Sequence, residues 1–319
     1  MPITVFVTKD YEQMSRLAAD IVKSRIVELS RIKKEIVLGL ATGNSPAGMY
    51  KHLAQAANAG EFDSGRIRSF NLDEYVGLAG ENAQERILHP QSFCYFMIRE
   101  LFGLLKRPFI ETNFPAASLI DQKPLIEALK RYPKDWTFRG AGGGKSVIIK
   151  ANAKSPYLAW VKKEILDGYA RKIRKAGGID MQVIGVGGRG HVAFHESGIP
   201  FKGSSVMLVK LDDITVAHAV ADGHFSSKRA CPRYALSMGV ELIFRAREVV
   251  LLANGERKVE AVTRSLLGDV TPDMPISYGQ RYSENGGRLI YVLDKIAARE
   301  LLANEKTLAG RKIVLDVRT

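Results

Sequence analysis

Between Asp180 and Gly198 the chain reads Asp-Met-Gln-Val-Ile-Gly-Val-Gly-Gly-Arg-Gly-His-Val-Ala-Phe-His-Glu-Ser-Gly. An apolar, β-branched run breaks into Gly185, Gly187, Gly188 and Gly190, and the break delivers His191 and, five residues on, Glu196. A histidine titrates near neutral pH and a carboxylate can orient it, so the pair suits general acid–base work. The same residues also fit a glycine-rich turn with one hydrogen-bonded histidine, and alone they favour that plainer reading slightly. A second candidate is Gly43-Asn44-Ser45, between an apolar run and a predicted helix. Backbone N–H groups and the helix dipole there favour an anion, although an ordinary capped helix would carry the same triplet. A third is Asp73-Glu74, just past another apolar run. A carboxylate at a strand's carboxyl end is placed to take a proton from carbon beside a carbonyl, yet turn aspartates are common. Lys258, behind Gly255 at a predicted helix start, could add a point charge to a phosphate, but most lysines are simply solvated.

These residues need strand ends to hold them. Short apolar runs predict strands over 3–7, 35–40, 66–71, 147–149, 181–186, 206–211, 248–253 and 287–293, with an edge strand over 313–317. Apolar residues at three- and four-residue spacing predict a helix after Asp10, with that residue as its cap. Ser45 before Pro46 suits a helix start running to about residue 57. Further helices are expected over 93–105, 233–245, 256–267 and 294–304. Strand-helix-strand alternation predicts a single α/β domain: three layers, doubly wound, with a mostly parallel sheet flanked by helices in the Rossmann-like manner. Ligands of such sheets sit at the carboxyl ends of the strands. The stretch 119–158 reads as an insertion on that plan. It contains Arg139-Gly-Ala-Gly-Gly-Gly-Lys-Ser146, which lacks the first glycine of a phosphate loop and reads as a glycine hairpin or connector. Residues 212–231 read as a mobile lid over the site.

The 319 residues are 46% hydrophobic and 25% charged, the composition of a soluble globular protein. No run reaches the roughly 18 apolar residues of a membrane span, and residues 1–7 do not resemble a signal peptide. Two cysteines, Cys94 and Cys231, make no disulfide framework and fit a reducing cytoplasm. The net charge of +13 favours acidic partners such as phosphorylated sugars, nucleic acid or anionic surfaces. The densest cations, Lys162, Lys163, Arg171, Lys172, Arg174 and Lys175, interleave with apolar residues at helical spacing and read as a solvated helix face, with no nucleic-acid motif beside them.

Taken together, 35–46, 67–78 and 180–198 resemble the glucosamine-6-phosphate deaminase family, in the larger group that also holds the 6-phosphogluconolactonases. His89-Pro-Gln-Ser92, Pro232-Arg-Tyr-Ala-Leu-Ser-Met-Gly239, Gly255–Lys258 and Pro275-Ile-Ser277 add to the match. The resemblance implies an enzyme converting an amino-sugar phosphate to a ketose phosphate and ammonia, with no metal or organic cofactor. It implies Asp73 as the base between C2 and C1, and His191 with Glu196 for ring opening. Gly43, Asn44, Ser45, Glu74 and Lys258 would bind substrate or phosphate. Tyr75 after Asp-Glu follows the deaminase pattern rather than the lactonase one. The chain departs from the family at Arg189, where Asp or Asn is usual, at His195, where Asn is usual, and near Gly223 and His224, where a phosphate-binding arginine is usual. Lys228 or Arg229 would be the substitutes for that arginine. Arg189 should lower the pKa of the nearby His191. The allosteric segment of some bacterial deaminases has no counterpart at Ser204-Ser-Val-Met207. The family spans monomers to hexamers, so a homo-oligomer is left open. The alternatives are isomerase or lactonase action on another sugar phosphate, or a non-catalytic sugar-phosphate sensor.

Overall fold

The computed structural model describes residues 2–318. Thirteen strands run along the described chain: β1 (Ile3–Thr8), β2 (Ile36–Leu40), β3 (Ile67–Asn71), β4 (Asp73–Val76), β5 (Glu111–Asn113), β6 (Trp136–Arg139), β7 (Lys145–Ile149), β8 (Met181–Gly185), β9 (Val206–Lys210), β10 (Tyr234–Met238), β11 (Glu248–Ala253), β12 (Arg288–Asp294) and β13 (Ile313–Arg318). Eight form a parallel sheet in the order β13-β1-β12-β11-β8-β2-β3-β5. From β2 the chain winds outward through β3 to β5; from β8, the neighbour of β2, it winds the other way through β11 to β12. The order therefore reverses between β2 and β8, and the crevice outside the carboxyl ends of the strands at such a point is where α/β sheets bind ligands.

Side chains alternate across this sheet, as the strand period requires. Ile36, Leu38 and Leu40 of β2 and Val250 and Leu252 of β11 face helices Tyr11–Ser30 and Asn44–Asn58. Val37, Phe70, Ile184, Val249 and Leu251 face the opposite layer. Each such aliphatic side chain, fully buried, contributes roughly 1.5–3 kcal/mol. That opposite layer combines helices with a second, antiparallel sheet, β4-β10-β9-β7-β6, whose Leu208, Leu236 and Val147 join the same apolar cluster. The fold is thus the expected three-layer, Rossmann-like α/β arrangement, with a second sheet that the sequence patterning does not announce.

Several local expectations need correction. The helix expected over 233–245 is strand β10 followed by the short helix Val240–Ile243. Pairing with β4 on one side and β9 on the other decides this, because strand formation depends on neighbours more than on the residues themselves. Asp294 ends its strand in a turn by accepting from the backbone N–H of Gly255 and Ala297, so helix survives only over Arg299–Leu302. The helix expected over 93–105 stops at Glu100. Asp10 does cap the first helix, accepting from the N–H of Gln13. Ser45 is not a cap: Gly43 takes that position at a φ of 129°, and the Ser45 hydroxyl donates to Oδ1 of Asn254 at 2.7 Å. Residues 119–158 carry helix Gln122–Arg131, the β6–β7 hairpin and helix Pro156–Trp160. The glycine run is the turn of that hairpin. Lys145 Nζ donates to the Gly140 carbonyl within it, and a strand rather than a helix follows. Within 212–231, residues Asp213–Ala221 are a helix capped by Asp212, which accepts from the N–H of Ile214.

Candidate active site

Four adjacent parallel strands deliver the predicted residues to one cavity. The turn after β2 brings Gly43, Asn44 and Ser45; the end of β3 brings Asp73; the loop after β8 brings His191; and the short 3-10 helix Glu256–Lys258 after β11 brings Lys258. Asp73 sits where the chain leaves the parallel sheet, separated from β3 by Leu72 alone, and opens β4 in the antiparallel sheet opposite Ser237. Glu196 lies behind His191. Its Oε2 stands 3.9 Å from His191 Nδ1, beyond hydrogen-bond distance, and it accepts from the Thr215 hydroxyl at 3.0 Å; Oε1 accepts from the Asp212 N–H at 3.2 Å.

Burial sets the protonation states. Asp73 is 6% exposed, and burial, with the charge of Glu74 second, holds its carboxyl well above the usual carboxylate range. Burial likewise raises Glu196, against the opposing hydrogen bonds from Thr215 and Asp212. His191 is pushed down to about 4, first by burial and then by the positive charge of Lys258, His218 and Arg189. The expected effect of Arg189 therefore has the right sign and is minor beside burial. Burial also lowers Lys258. Among the described residues lining the cavity, Lys258 is the one lysine or arginine.

Other predicted residues go elsewhere. Glu74 does not line the cavity: its carboxylate accepts from the Ser92 hydroxyl and from the N–H groups of Phe93 and Cys94, capping helix Phe93–Glu100. His195 is fully buried; Nδ1 accepts from the Val240 N–H at 3.2 Å, so Nε2 carries the hydrogen and donates to the Ile199 carbonyl at 2.9 Å. Arg189 is turned to Asp212, Nη1 to Oδ2 at 3.3 Å. Lys228 and Arg229 are exposed and away from the cavity lining, whereas His224 lines it and meets Gln91 at 3.1 Å. Thr215, His218 and Asp222 from the Asp213–Ala221 helix and its end, none singled out from the sequence, complete the lining, together with Tyr75 and the rings of Phe93 and Phe194 against it. Asp212-Asp213 as a helix start was the signal that would have placed Thr215 and His218 on one helix face.

An open parallel sheet whose switch point gathers a buried carboxylate, a histidine, a lysine and a helix-start turn in one cavity defines an α/β protein with its candidate site at the carboxyl ends of the strands. Comparison with known proteins narrows this. The chain is 32% identical over 297 residues, 93% of its length and 99% of the relative's, to glucosamine-6-phosphate deaminase of Clostridium acetobutylicum. A Clostridium botulinum protein of the same name matches at 32% over 93% of this chain and 98% of its own. The chain belongs to the glucosamine-6-phosphate deaminase family. Among solved structures, a monomeric glucosamine-6-phosphate deaminase superposes with a TM-score of 0.68 at 25% identity, covering 94% of this chain and 99% of that one. The 6-phosphogluconolactonase of Thermotoga maritima shares the fold, with a TM-score of 0.56 at 18% identity over 92% of this chain and 100% of its own. No family model matches the chain. Among the described residues no helix is long and apolar enough to cross a membrane.

Proposed function

We propose that the protein is a cytoplasmic amino-sugar-phosphate deaminase, converting glucosamine 6-phosphate or a close relative to fructose 6-phosphate and ammonia. The observation that carries this is the meeting of Asp73, His191, Lys258 and the Gly43–Ser45 turn in one cavity at the strand switch. Lys258 and the N–H groups of the turn hold the phosphate. His191, neutral at pH 7, takes the proton of the C1 hydroxyl and returns one to the ring oxygen, opening the ring. Glu196 stabilises the imidazolium that forms between the two transfers. Asp73, its basicity raised by burial, removes the C2 proton and delivers it to C1 while a proton passes from the ammonium nitrogen to O1; water then adds to the resulting C2 iminium and ammonia leaves, giving the ketone. A positioned general base contributes about 10²–10⁴-fold to such a step. The 212–231 segment, which roofs the cavity with Thr215, His218 and His224, opens and closes over the substrate.

A second reading, lactone hydrolysis or isomerisation of another sugar phosphate, rests on Arg189, which cannot accept a proton and stands beside the His191 loop. One assay separates the readings: ammonia release from glucosamine 6-phosphate, with galactosamine 6-phosphate and 6-phosphogluconolactone in parallel. Ammonia from an amino sugar supports the deaminase. Hydrolysis of the lactone without ammonia replaces it with the second reading.

A further inference from the structure

We propose that the glycine turn of the β6–β7 hairpin is a positioning element for the catalytic loop, seating Glu196 and Asp212 by direct backbone contact. The hairpin belongs to 119–158, the stretch that reads as an insertion on the α/β plan, yet it docks at the site. The Ala141 N–H donates to the Gly198 carbonyl at 3.0 Å, tying the turn to the end of the His191–Glu196 loop. A Cβ on Gly144 would lie 2.5 Å from Cβ and Cγ of Glu196, and one on Gly143 would lie 2.8 Å from Oδ2 of Asp212. One on Gly142 would collide with the Ser197 carbonyl oxygen. Three successive positions therefore admit no side chain, because backbone is packed against the two carboxylates and the chain between them.

Those two carboxylates hold the rest of the site. Asp212 fixes Arg189, caps helix Asp213–Ala221 and donates its own N–H to Glu196. Glu196 in turn accepts from Thr215 of that helix and lies behind His191. The glycine run packs against Cβ and Cγ of Glu196, so the stem that carries the carboxylate has no room to shift towards the turn. This accounts for a Gly-Gly-Gly-Lys-Ser sequence that leads into a strand rather than the helix of a phosphate loop: what the turn needs from its glycines is close approach to Glu196. Misplacing a catalytic group by about 1 Å can cost on the order of 10²-fold in rate.

The proposal rests on the deaminase reading for its rate assay, so wild-type turnover is established first. Gly144→Ala is then compared with wild type, and Gly144→Ala/Glu196→Gln with Glu196→Gln alone. Gly144→Ala should lower kcat about 10–100-fold while binding of glucitol 6-phosphate, by calorimetry, keeps its stoichiometry and its Kd. In the Glu196→Gln background the same substitution should cost less than about 3-fold, because the turn acts through that carboxylate. Equal losses in both backgrounds, or an unchanged kcat in folded Gly144→Ala, overturn the proposal. Should Gly144→Ala not fold, Gly143→Ala carries the same test against Asp212→Asn. If wild type turns over no sugar phosphate, the deaminase reading falls, and the turn is tested alone by NMR. The His191 ring resonances should then move in Gly144→Ala; unmoved resonances would reject the positioning role.

Discussion

His191 Nδ1 and Glu196 Oε2 stand 3.9 Å apart, with no hydrogen bond between them, while the same carboxylate is bonded to Thr215 and to the Asp212 N–H. Glu196 is thus anchored to the roof of the cavity rather than to His191. Catalytic hydrogen bonds are often long without substrate and tighten when it binds. The roof helix and the histidine loop are therefore linked through one buried carboxylate.

Asp73→Asn should reduce kcat by about 10²–10⁴-fold and leave glucitol 6-phosphate binding nearly intact. It should also stabilise the protein at neutral pH. The folded-state pKa of Asp73 is raised, so the native state binds more protons than the unfolded chain, and stability falls as pH rises from the ordinary aspartate range through the raised value. Thermal melts at pH 7 should show the variant above wild type, with the gap closing below about pH 4. An unchanged kcat would remove Asp73 from the mechanism.

Lys258→Met should weaken phosphorylated substrates about 10–100-fold in KM, the worth of one charge-assisted hydrogen bond. Unphosphorylated glucosamine, which lacks the group Lys258 meets, should show no comparable change. A loss equal for both sugars would place Lys258 away from the phosphate.

Burial holds both His191 and His195 down to about 4. The unfolded chain protonates such residues near 6.5. Between those values the unfolded state binds more protons, so this contribution to stability is present above about pH 6.5 and lost as pH falls towards 4. Melts at pH 7 and pH 5 should show wild type losing more on acidification than His195→Gln, which has no such group to titrate. His195→Gln should also melt lower at pH 7, since Val240 and Ile199 lose a fitted partner.

Glu74→Gln separates a structural carboxylate from a catalytic one. It replaces an acceptor of four hydrogen bonds, three of them at a helix start, and stability should drop by about 1–3 kcal/mol. The KM for sugar phosphates should stay within about 2-fold, since Glu74 lines no part of the cavity. A large rise in KM with an unchanged melting temperature would return Glu74 to the substrate site.

The sequence by itself determined the parallel sheet and the strand ends that carry the site. Short apolar runs buried on both faces, broken by glycine, have few other structures open to them, so the turn at Gly43, the carboxylate at Asp73 and the glycine break before His191 were legible as loops with chemistry. Family resemblance then joined them. What the tertiary structure decided was orientation and company. Asp73 and Glu74 are adjacent, and a strand sends neighbours to opposite faces, so one reaches the cavity and the other caps a helix. His191 was read as the ring-opening residue and His195 as a departure from the family pattern; His195 falls against the Val240 backbone and becomes a fixed strut. Segment 233–245 carried enough helix formers to read as helix and became a strand because β4 and β9 were there to pair with it. The hairpin at Trp136–Ile149 was the least legible of all, since contact between its glycines and Glu196 spans some fifty residues of chain and leaves no periodic trace. Spacing along a chain records which groups share a loop; burial, pairing and protonation depend on residues brought together from elsewhere.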